Sequence, residues 1–143
     1  MKIGVLKNML EKRGVLQKLS PLTGQEIEGI RRNFPGIPED YLSFLAECGY
    51  GELGVFLYSG PIKANEMYDY EELKEEDPIE YEKWEQTWLI GDYGMGDAFG
   101  YCIQNGKYHL VDVDHVSLEI QERSTDFCTF LTSFVSSDNA DAK

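Results

Sequence analysis

One stretch of the sequence decides how the rest is interpreted: Trp88-Leu89-Ile90-Gly91-Asp92-Tyr93-Gly94-Met95-Gly96-Asp97-Ala98-Phe99-Gly100-Tyr101-Cys102-Ile103. Two apolar runs enclose a glycine-rich loop. After the second run, Asn105-Gly106 favours a two-residue type I′ turn, because both residues tolerate positive φ. The following run, Lys107 to Val113, is rich in β-forming residues. The glycine loop is therefore predicted to connect two strands.

A glycine-rich loop also suggests nucleotide binding. Phosphate-binding loops lead from a strand into a helix, whose N-terminal amides face the anion. Here the spacing is Gly94-x-Gly96-x-x-x-Gly100, which fits neither the dinucleotide motif nor a P-loop. Asp92 and Asp97 flank the loop and would repel phosphate. We expect no nucleotide or other cofactor, and we interpret the glycines as residues of a tight loop.

The charge of the chain is acidic and unevenly placed. The net charge is −13 over 143 residues. Between Glu66 and Glu85, called here the acidic stretch, ten acidic residues stand against two lysines, a net charge of −8. This sign disfavours nucleic acid as a direct partner. Two interpretations remain open, a solvated helix face that keeps the protein soluble and a surface that steers a basic protein partner.

The sequence gives little support for a metal site, a redox function or a membrane-spanning helix. Cys48, Cys102 and Cys128 lie far apart in apolar surroundings, which predicts buried free thiols. With only His109 and His115 in addition, no zinc spacing can be assembled. No run approaches the roughly 20 apolar residues of a membrane helix, so we expect no membrane partner. Because the N-terminus also lacks the pattern of a signal peptide, we expect a cytoplasmic protein.

The order of the predicted elements indicates an α+β fold. Helices come first, beginning near Val5 and after the capping box Thr23-Gly24-Gln25-Glu26. A meander of strands follows, and one helix with an apolar stripe from Phe127 to Phe134 closes the chain. We predict a single domain over residues 1–135, with N-terminal helices and a C-terminal helix packed on a twisted, largely antiparallel sheet. Residues 136–143 are predicted to form a mobile polar tail.

The meander has a predicted register. Its strands are expected at Trp88–Ile90, Gly100–Gln104, Lys107–Val113 and Ser117–Gln121. If Asn105-Gly106 forms the turn, Ile103 lies opposite Tyr108 and Cys102 lies opposite His109. His109 is then a side chain on a half-buried sheet face, and no serine, cysteine or carboxylate can be assigned to it as a catalytic partner.

Three patches of sequence resemble the SUKH superfamily of bacterial immunity proteins and fungal cell-wall-assembly regulators. The first is Ile37-Pro38-Glu39-Asp40-Tyr41-x-x-Phe44-Leu45 with Gly49-Tyr50-Gly51 after it. The second is Ile90-Gly91-Asp92-Tyr93-Gly94-Met95-Gly96-Asp97. The third is Phe127-x-x-Phe130-Leu131, after the aspartates at 112 to 114. Isoleucine at position 37 replaces the usual leucine, and Tyr93 and Met95 stand where small or polar residues are common.

The resemblance implies a binding protein without catalytic residues, commonly an antitoxin that neutralises a cognate toxin. Together with the acidic stretch, it predicts a basic partner, such as a nuclease toxin, bound through an acidic surface. The candidate contact residues are Glu66, Tyr68, Asp69, Tyr70, Glu71, Glu72, Glu75, Glu76, Tyr81, Asp92, Tyr93, Met95 and Asp97. We expect no catalytic, cofactor-binding or metal-binding residues.

Two other functions stay open from the sequence. One is a regulatory scaffold of the cell-wall-assembly type. The other is a metal-dependent hydrolase, in which Asp92, Asp97, Asp112 and Asp114 hold a cation. Aspartates at loop and strand ends more often cap turns, which makes the hydrolase the weaker alternative.

Overall fold

A computed structural model describes the backbone of residues 3–141 and the side chains of residues 3–135. Its α+β class confirms the predicted fold. The helices are α1 (Ile3–Lys12), α2 (Gly24–Asn33), α3 (Glu39–Glu47), α4 (Leu73–Glu76), α5 (Pro78–Glu85) and α6 (Phe127–Asp141). The strands are β1 (Gly51–Glu52), β2 (Phe56–Lys63), β3 (Thr87–Asp92), β4 (Ala98–Gln104), β5 (Lys107–Val113) and β6 (Ile120–Glu122). Strand β1 pairs with β2, and β3, β4, β5 and β6 pair with one another in sequence order, all antiparallel.

The chain divides into two compact units, and β2 contributes to both. The first unit comprises Met1–Ser59 and Thr125–Lys143, and the second comprises Gly60–Ser124. None of the helices in the described residues is both long and apolar enough to span a bilayer.

The first unit is built on the helices. The capping box at the start of α2 is confirmed, because Thr23 Oγ1 accepts the Glu26 N–H at 3.2 Å and Glu26 Oε1 accepts the Thr23 N–H at 2.9 Å. In its core, the ring of Phe127 meets Tyr41 and Phe44 edge-on, with centroid distances of 5.2 and 5.7 Å. All three rings are buried, which places α3 against α6.

The closing helix differs from its prediction in two ways. Phe134 is half-buried and Val135 is fully buried. Among the residues whose side chains are described, the buried face of α6 therefore ends at Val135 rather than at Phe134. The helix also continues to Asp141, so the backbone of residues 136–141 is helical where a polar tail was predicted. The polar composition of this segment does not prevent the helix, because Ser, Asn and Asp only weaken helix propensity. The prediction that residues 136–143 are mobile falls on side chains, and on the last two residues, that lie outside the described part of the chain.

The second unit contains the meander, whose register is as predicted. Asn105 and Gly106 have φ of 54° and 76°, both positive as a type I′ turn requires. Ile103 pairs with Tyr108, and Cys102 pairs with His109. A Cβ added to Gly100 would lie 2.1 Å from the carbonyl oxygen of Trp88 on the adjacent strand. The glycine at this position therefore allows β3 and β4 to approach each other.

The last strand begins later than predicted. Asp114 Oδ1 accepts the N–H groups of Val116 and Ser117, at 2.8 and 2.9 Å. Leu118 then adopts a φ of 59° and donates its N–H to the Asp114 carbonyl. This turn occupies the residues that were predicted to begin the strand, and β6 is confined to Ile120–Glu122.

Helix α5 is attached to β6 and to the turn before it. Asp77 caps the helix by accepting the Glu80 N–H at 3.3 Å. Glu80 Oε2 accepts the Ile120 N–H at 2.8 Å, and Trp84 Nε1 donates to the Leu118 carbonyl at 3.0 Å. Since Trp84 is fully buried, it forms the centre of the packing between α5 and the end of the sheet.

Candidate partner-binding surface

The acidic stretch folds as several short elements rather than one helix. A 3-10 turn at Ala64–Glu66 is followed by the single turn of α4 and by α5. Glu72, Glu75 and Glu76 are exposed, and in the described part of the chain no salt bridge involves them. Their negative charges are therefore available to a partner.

Tyr70 is not an exposed contact residue, so its place among the candidates is corrected. Its side chain is 3% exposed, and its ring stacks on Trp84 with a centroid distance of 5.0 Å. Its hydroxyl donates to Glu85 Oε2 at 2.6 Å. Burial and the adjacent Glu85 carboxylate raise the pKa of the Tyr70 phenol. The residue anchors the acidic stretch to α5.

The acidic stretch encloses a surface groove of about 460 Å³. We call it the acidic groove, and its lining residues are Asn65, Glu66, Met67, Tyr68, Asp69, Tyr70, Glu71, Tyr81 and Glu85. The lining holds four carboxylates and three phenol rings, and it includes no lysine or arginine. Burial, followed by Glu71 and Glu85, raises the pKa of the Tyr81 phenol. The groove is thus suited to a ligand that is positively charged and able to pack against aromatic rings.

Tyr68 connects the acidic groove to the glycine loop between β3 and β4. Its hydroxyl donates to the Gly96 carbonyl oxygen at 2.5 Å, and its ring meets Trp84 edge-on at 5.6 Å. Burial, followed by Asp92 and Asp97, raises the pKa of the Tyr68 phenol. The two groups of candidate residues, one in the acidic stretch and one in the loop, therefore meet in a continuous surface.

Hydrogen bonds within the glycine loop stabilise its conformation. Asp92 Oδ1 accepts the Gly94 N–H at 2.9 Å, and the Tyr93 N–H donates to the Asp97 carbonyl at 3.0 Å. Gly94 and Gly96 have φ of 84° and 103°, and the loop leads directly into β4. The context of a phosphate-binding loop, which needs a helix at this point, is absent from this described segment.

The glycine loop is joined to the turn before β6 through Asp97. Its Oδ1 atom lies 3.1 Å from the His115 backbone nitrogen and 2.7 Å from His115 Nδ1. The imidazole lies against Gly96, where an added Cβ would come within 2.6 Å of the ring. The tips of the two connections expose Met95 and Val116, at 85% and 79%. Single exposed apolar side chains are common on protein surfaces, so the exposure of these two does not by itself identify a contact site.

Tyr93 also has a mainly structural position. Its ring packs on Phe99, with a centroid distance of 5.3 Å. Its hydroxyl donates to Asp112, whose other carboxylate oxygen pairs with Arg123 Nε at 2.6 Å. Burial, followed by Asp112, raises the pKa of the Tyr93 phenol. Of the loop candidates, Met95 is the side chain most accessible to a partner.

Only two of the four aspartates considered for a cation site, Asp97 and Asp114, lie close together. Ligand atoms of Asp97, Asp114 and His115 lie within 4.8 Å of one another, close enough to share a cation. The same groups are occupied in fixing the loops: Asp97 accepts from His115, and Asp114 caps its turn with a pKa lowered by the Ser117 and Val116 amides. Asp92 is not in this group, and Asp112 is paired with Arg123. This arrangement agrees better with turn capping than with a catalytic metal centre.

His109 has neighbours that the sequence could not assign. Its Nδ1 lies 2.9 Å from Glu122 Oε2, and Cys102 is its cross-strand partner. A carboxylate, an imidazole and a thiol on one face could suggest nucleophilic catalysis. However, Cys102 is buried, which raises the pKa of its thiol, whereas a catalytic cysteine needs a lowered pKa. The burial of the thiol therefore argues against a cysteine nucleophile here.

Comparisons with protein-family models, with curated proteins and with solved structures give no match to this chain. The SUKH resemblance therefore stays a prediction.

Proposed function

We propose that this protein is a non-catalytic binding protein of the immunity type, which neutralises a basic protein toxin through its acidic surface. One observation carries the proposal: the acidic groove and the glycine loop form a single surface, joined by the Tyr68–Gly96 hydrogen bond, whose charged residues are acidic. A nuclease toxin is a fitting partner, because enzymes that act on nucleic acid carry basic clefts that an acidic protein can occupy.

The exposed charges of the acidic stretch and the apolar groups of this surface have different roles in the proposal. Glu72, Glu75 and Glu76 steer the partner, and charge complementarity of this kind raises association rates by roughly 10–10³ at low salt. The affinity rests on a few side chains that become buried in the complex. Met67 and Met95 are suitable, since they are exposed at the two ends of the Tyr68 contact.

The proposal is tested with the partner itself, isolated by co-purification from the source cells. The triple variant Glu72→Lys, Glu75→Lys, Glu76→Lys reverses three exposed charges outside the acidic groove. We expect its association rate to fall by about 10-fold or more at low salt, with a smaller difference at high salt, where the Debye length drops below about 8 Å.

A matched control separates steering from net charge. The variant Glu11→Lys, Glu47→Lys, Glu52→Lys makes the same charge change at three exposed positions of the other unit. If both variants slow association equally, only the total charge matters and the acidic surface is not the binding site. Addition of the wild-type protein should also abolish the partner's activity, and an unaffected toxin would contradict the immunity function.

A further inference from the structure

The Asn105-Gly106 turn lies outside the proposed binding surface and has a reactivity of its own. The side-chain carbonyl carbon of an asparagine, Cγ, can be attacked by the backbone nitrogen of the next residue. A glycine at that next position has no side chain to obstruct the attack. Asn105 and Gly106 are both exposed, and a Cβ built on Gly106 would meet nothing within 4 Å. Neither reacting group is therefore shielded by packing.

The Gly106 nitrogen is also not needed to close the turn. Gln104 and Lys107 are the cross-strand pair at the end of the β4–β5 hairpin. In a four-residue turn the closing hydrogen bond joins the two outer residues, and the N–H of the third residue takes no part in it. The Gly106 N–H can therefore lose its proton to solvent without breaking the pair.

Asn33 provides a contrast within the same chain. It is exposed like Asn105, but it is the last residue of α2 and precedes Phe34. The Phe34 N–H donates to the Ile30 carbonyl at 2.9 Å. This hydrogen bond and the bulky side chain both oppose an attack by the Phe34 nitrogen, so Asn33 should react much more slowly.

The attack at Asn105 requires the turn to open. Asn105 has a φ of 54°, and a type I′ turn holds its ψ near about +30°. At this ψ the Gly106 nitrogen and the Asn105 side chain lie on opposite sides of the Cα–C bond, whereas a five-membered ring needs them on the same side. The tip borders a cavity of about 580 Å³ on the side of α5, which leaves room for the rotation. Exposed loop tips of this kind open more readily than core elements.

We propose that Asn105 is a site of spontaneous deamidation in the native protein, reached when the tip of the β4–β5 hairpin opens. The Gly106 nitrogen, having lost its proton to solvent base, bonds to Asn105 Cγ. The Cγ–Nδ2 bond breaks, and the departing nitrogen takes up a proton and leaves as ammonia. Water then opens the succinimide ring. Attack of water at Cγ gives aspartate, and attack at the backbone carbonyl carbon gives isoaspartate, whose main chain runs through Cγ. One water is consumed and one ammonia released, without oxidation or reduction.

The two products affect the hairpin differently. Aspartate keeps the turn, because Asp-Gly fits a type I′ turn as Asn-Gly does. Isoaspartate adds one methylene group to the main chain, which a two-residue turn between Gln104 and Lys107 cannot accommodate without displacing that pair. The tip and the glycine loop lie at opposite ends of β4, so this inference is independent of the proposed function.

The test is prolonged incubation of the purified, folded protein at mildly alkaline pH, followed by peptide mass spectrometry. Trypsin places the two asparagines in separate peptides, residues 84–107 and 33–63, each with a single asparagine. Deamidation raises the mass of a peptide by about 1 Da. It should be at least about 10-fold faster at Asn105 than at Asn33, because the Phe34 amide must first break its hydrogen bond.

Two results would overturn the proposal. One is an equal rate at the two asparagines in the folded protein. The other is a folded protein that stays unmodified while the urea-unfolded chain deamidates at Asn105, since the closed turn would then protect the site. In the variant Asn105→Gln the mass increase of the 84–107 peptide should disappear, and its persistence would place the modification at another residue.

A second arm tests the effect on the hairpin. Asn105→Asp is the matched control, because it carries the same added charge on a normal backbone. The isoaspartate form, separated by chromatography, should unfold about 2–4 °C below this variant. Equal Tm values would contradict the displacement of the Gln104–Lys107 pair.

Discussion

The Tyr68 hydroxyl donates a hydrogen bond to the carbonyl oxygen of Gly96, which lies 28 positions further along the chain. The bond spans from the acidic stretch to the glycine loop at an O···O distance of 2.5 Å. It explains how the acidic stretch and the glycine loop hold a common surface. The consequences of removing it can be measured.

Tyr68→Phe should loosen the glycine loop while leaving the fold intact. The ring keeps its contact with Trp84, and only the hydrogen bond is lost, so the free energy of unfolding should fall by about 0.5–1.5 kcal/mol. Hydrogen exchange at the Tyr93 amide, which bonds to the Asp97 carbonyl within the loop, should become faster. Unchanged exchange at this amide would show that Tyr68 does not restrain the loop.

Phe44→Ala should strongly destabilise the protein. Phe44 is fully buried and packs edge-on against Phe127, so its removal leaves a cavity and should cost about 3–5 kcal/mol. Phe56→Ala is the matched control, because Phe56 is 44% exposed and its loss should cost much less. Urea unfolding measures both, and similar losses for the two variants would contradict the assigned core.

Gly100→Ala should disrupt the pairing of β3 with β4. The new methyl group would lie 2.1 Å from the Trp88 carbonyl oxygen, a distance that requires the backbone to move. We expect a loss of more than about 2 kcal/mol of unfolding free energy. Gly29→Ala serves as the control, since that glycine lies in α2 with nothing within 4 Å and should gain about 0.5–1 kcal/mol.

Asp126 should make the stability of the first turn of α6 depend on pH. Its Oδ1 accepts the Thr129 N–H at 2.7 Å, and this bond lowers the pKa of the carboxyl group. A lowered pKa in the folded state stabilises the protein above the unfolded pKa, about 3.9, and this contribution is lost as the pH falls through the folded pKa. Asp126→Ala should therefore cost about 0.5–2 kcal/mol at neutral pH and less in acid.

The control for this experiment is Asp126→Ser, which keeps a capping oxygen that does not titrate. Its stability difference from the wild type should stay small at neutral pH, because serine is a good capping residue. Urea unfolding from neutral pH to about pH 3 follows both variants across the carboxyl titration. A cost of Asp126→Ala that does not shrink in acid would exclude the charge of Asp126 as its source.

The purified protein should hydrolyse no phosphodiester, peptide or glycosidic bond, with or without a divalent cation. The reason is that the loop aspartates are occupied by loop hydrogen bonds and by Arg123. Adding Mg²⁺ or Zn²⁺ should likewise leave Tm unchanged, since a ligand stabilises only a state that binds it. Turnover that is lost specifically in Asp92→Asn or Asp97→Asn would contradict this prediction.

Local patterns in the sequence were sufficient for much of the fold. The Asn105-Gly106 turn determines the β4–β5 register, because a two-residue loop leaves no freedom in the pairing. The Thr23–Glu26 capping box is equally local. The start of β6 was not predictable in this way, since it depends on Leu118 adopting a positive φ, which is uncommon for leucine.

The candidate surface was only partly predictable, because its contacts join distant positions. Tyr68 and Tyr70 look equivalent in the sequence, yet Tyr70 is buried under a stacking contact with Trp84 while Tyr68 reaches Gly96. No periodic pattern in the acidic stretch separates them. The partner of His109 was missed for the same reason. Glu122 lies opposite Val111, two positions from His109 on the same face of β5, and only the β5–β6 register shows this.

The bond from Glu80 to the Ile120 amide also bears on the outer edge of the sheet. β6 is the last strand of the sheet, and an unpaired outer strand is a template on which a second chain can add. In the alternating pattern of an antiparallel pair, the Ile120 N–H points away from β5, where a new strand would dock. Glu80 occupies this donor, so the Ile120 amide is not open to pairing with an added strand.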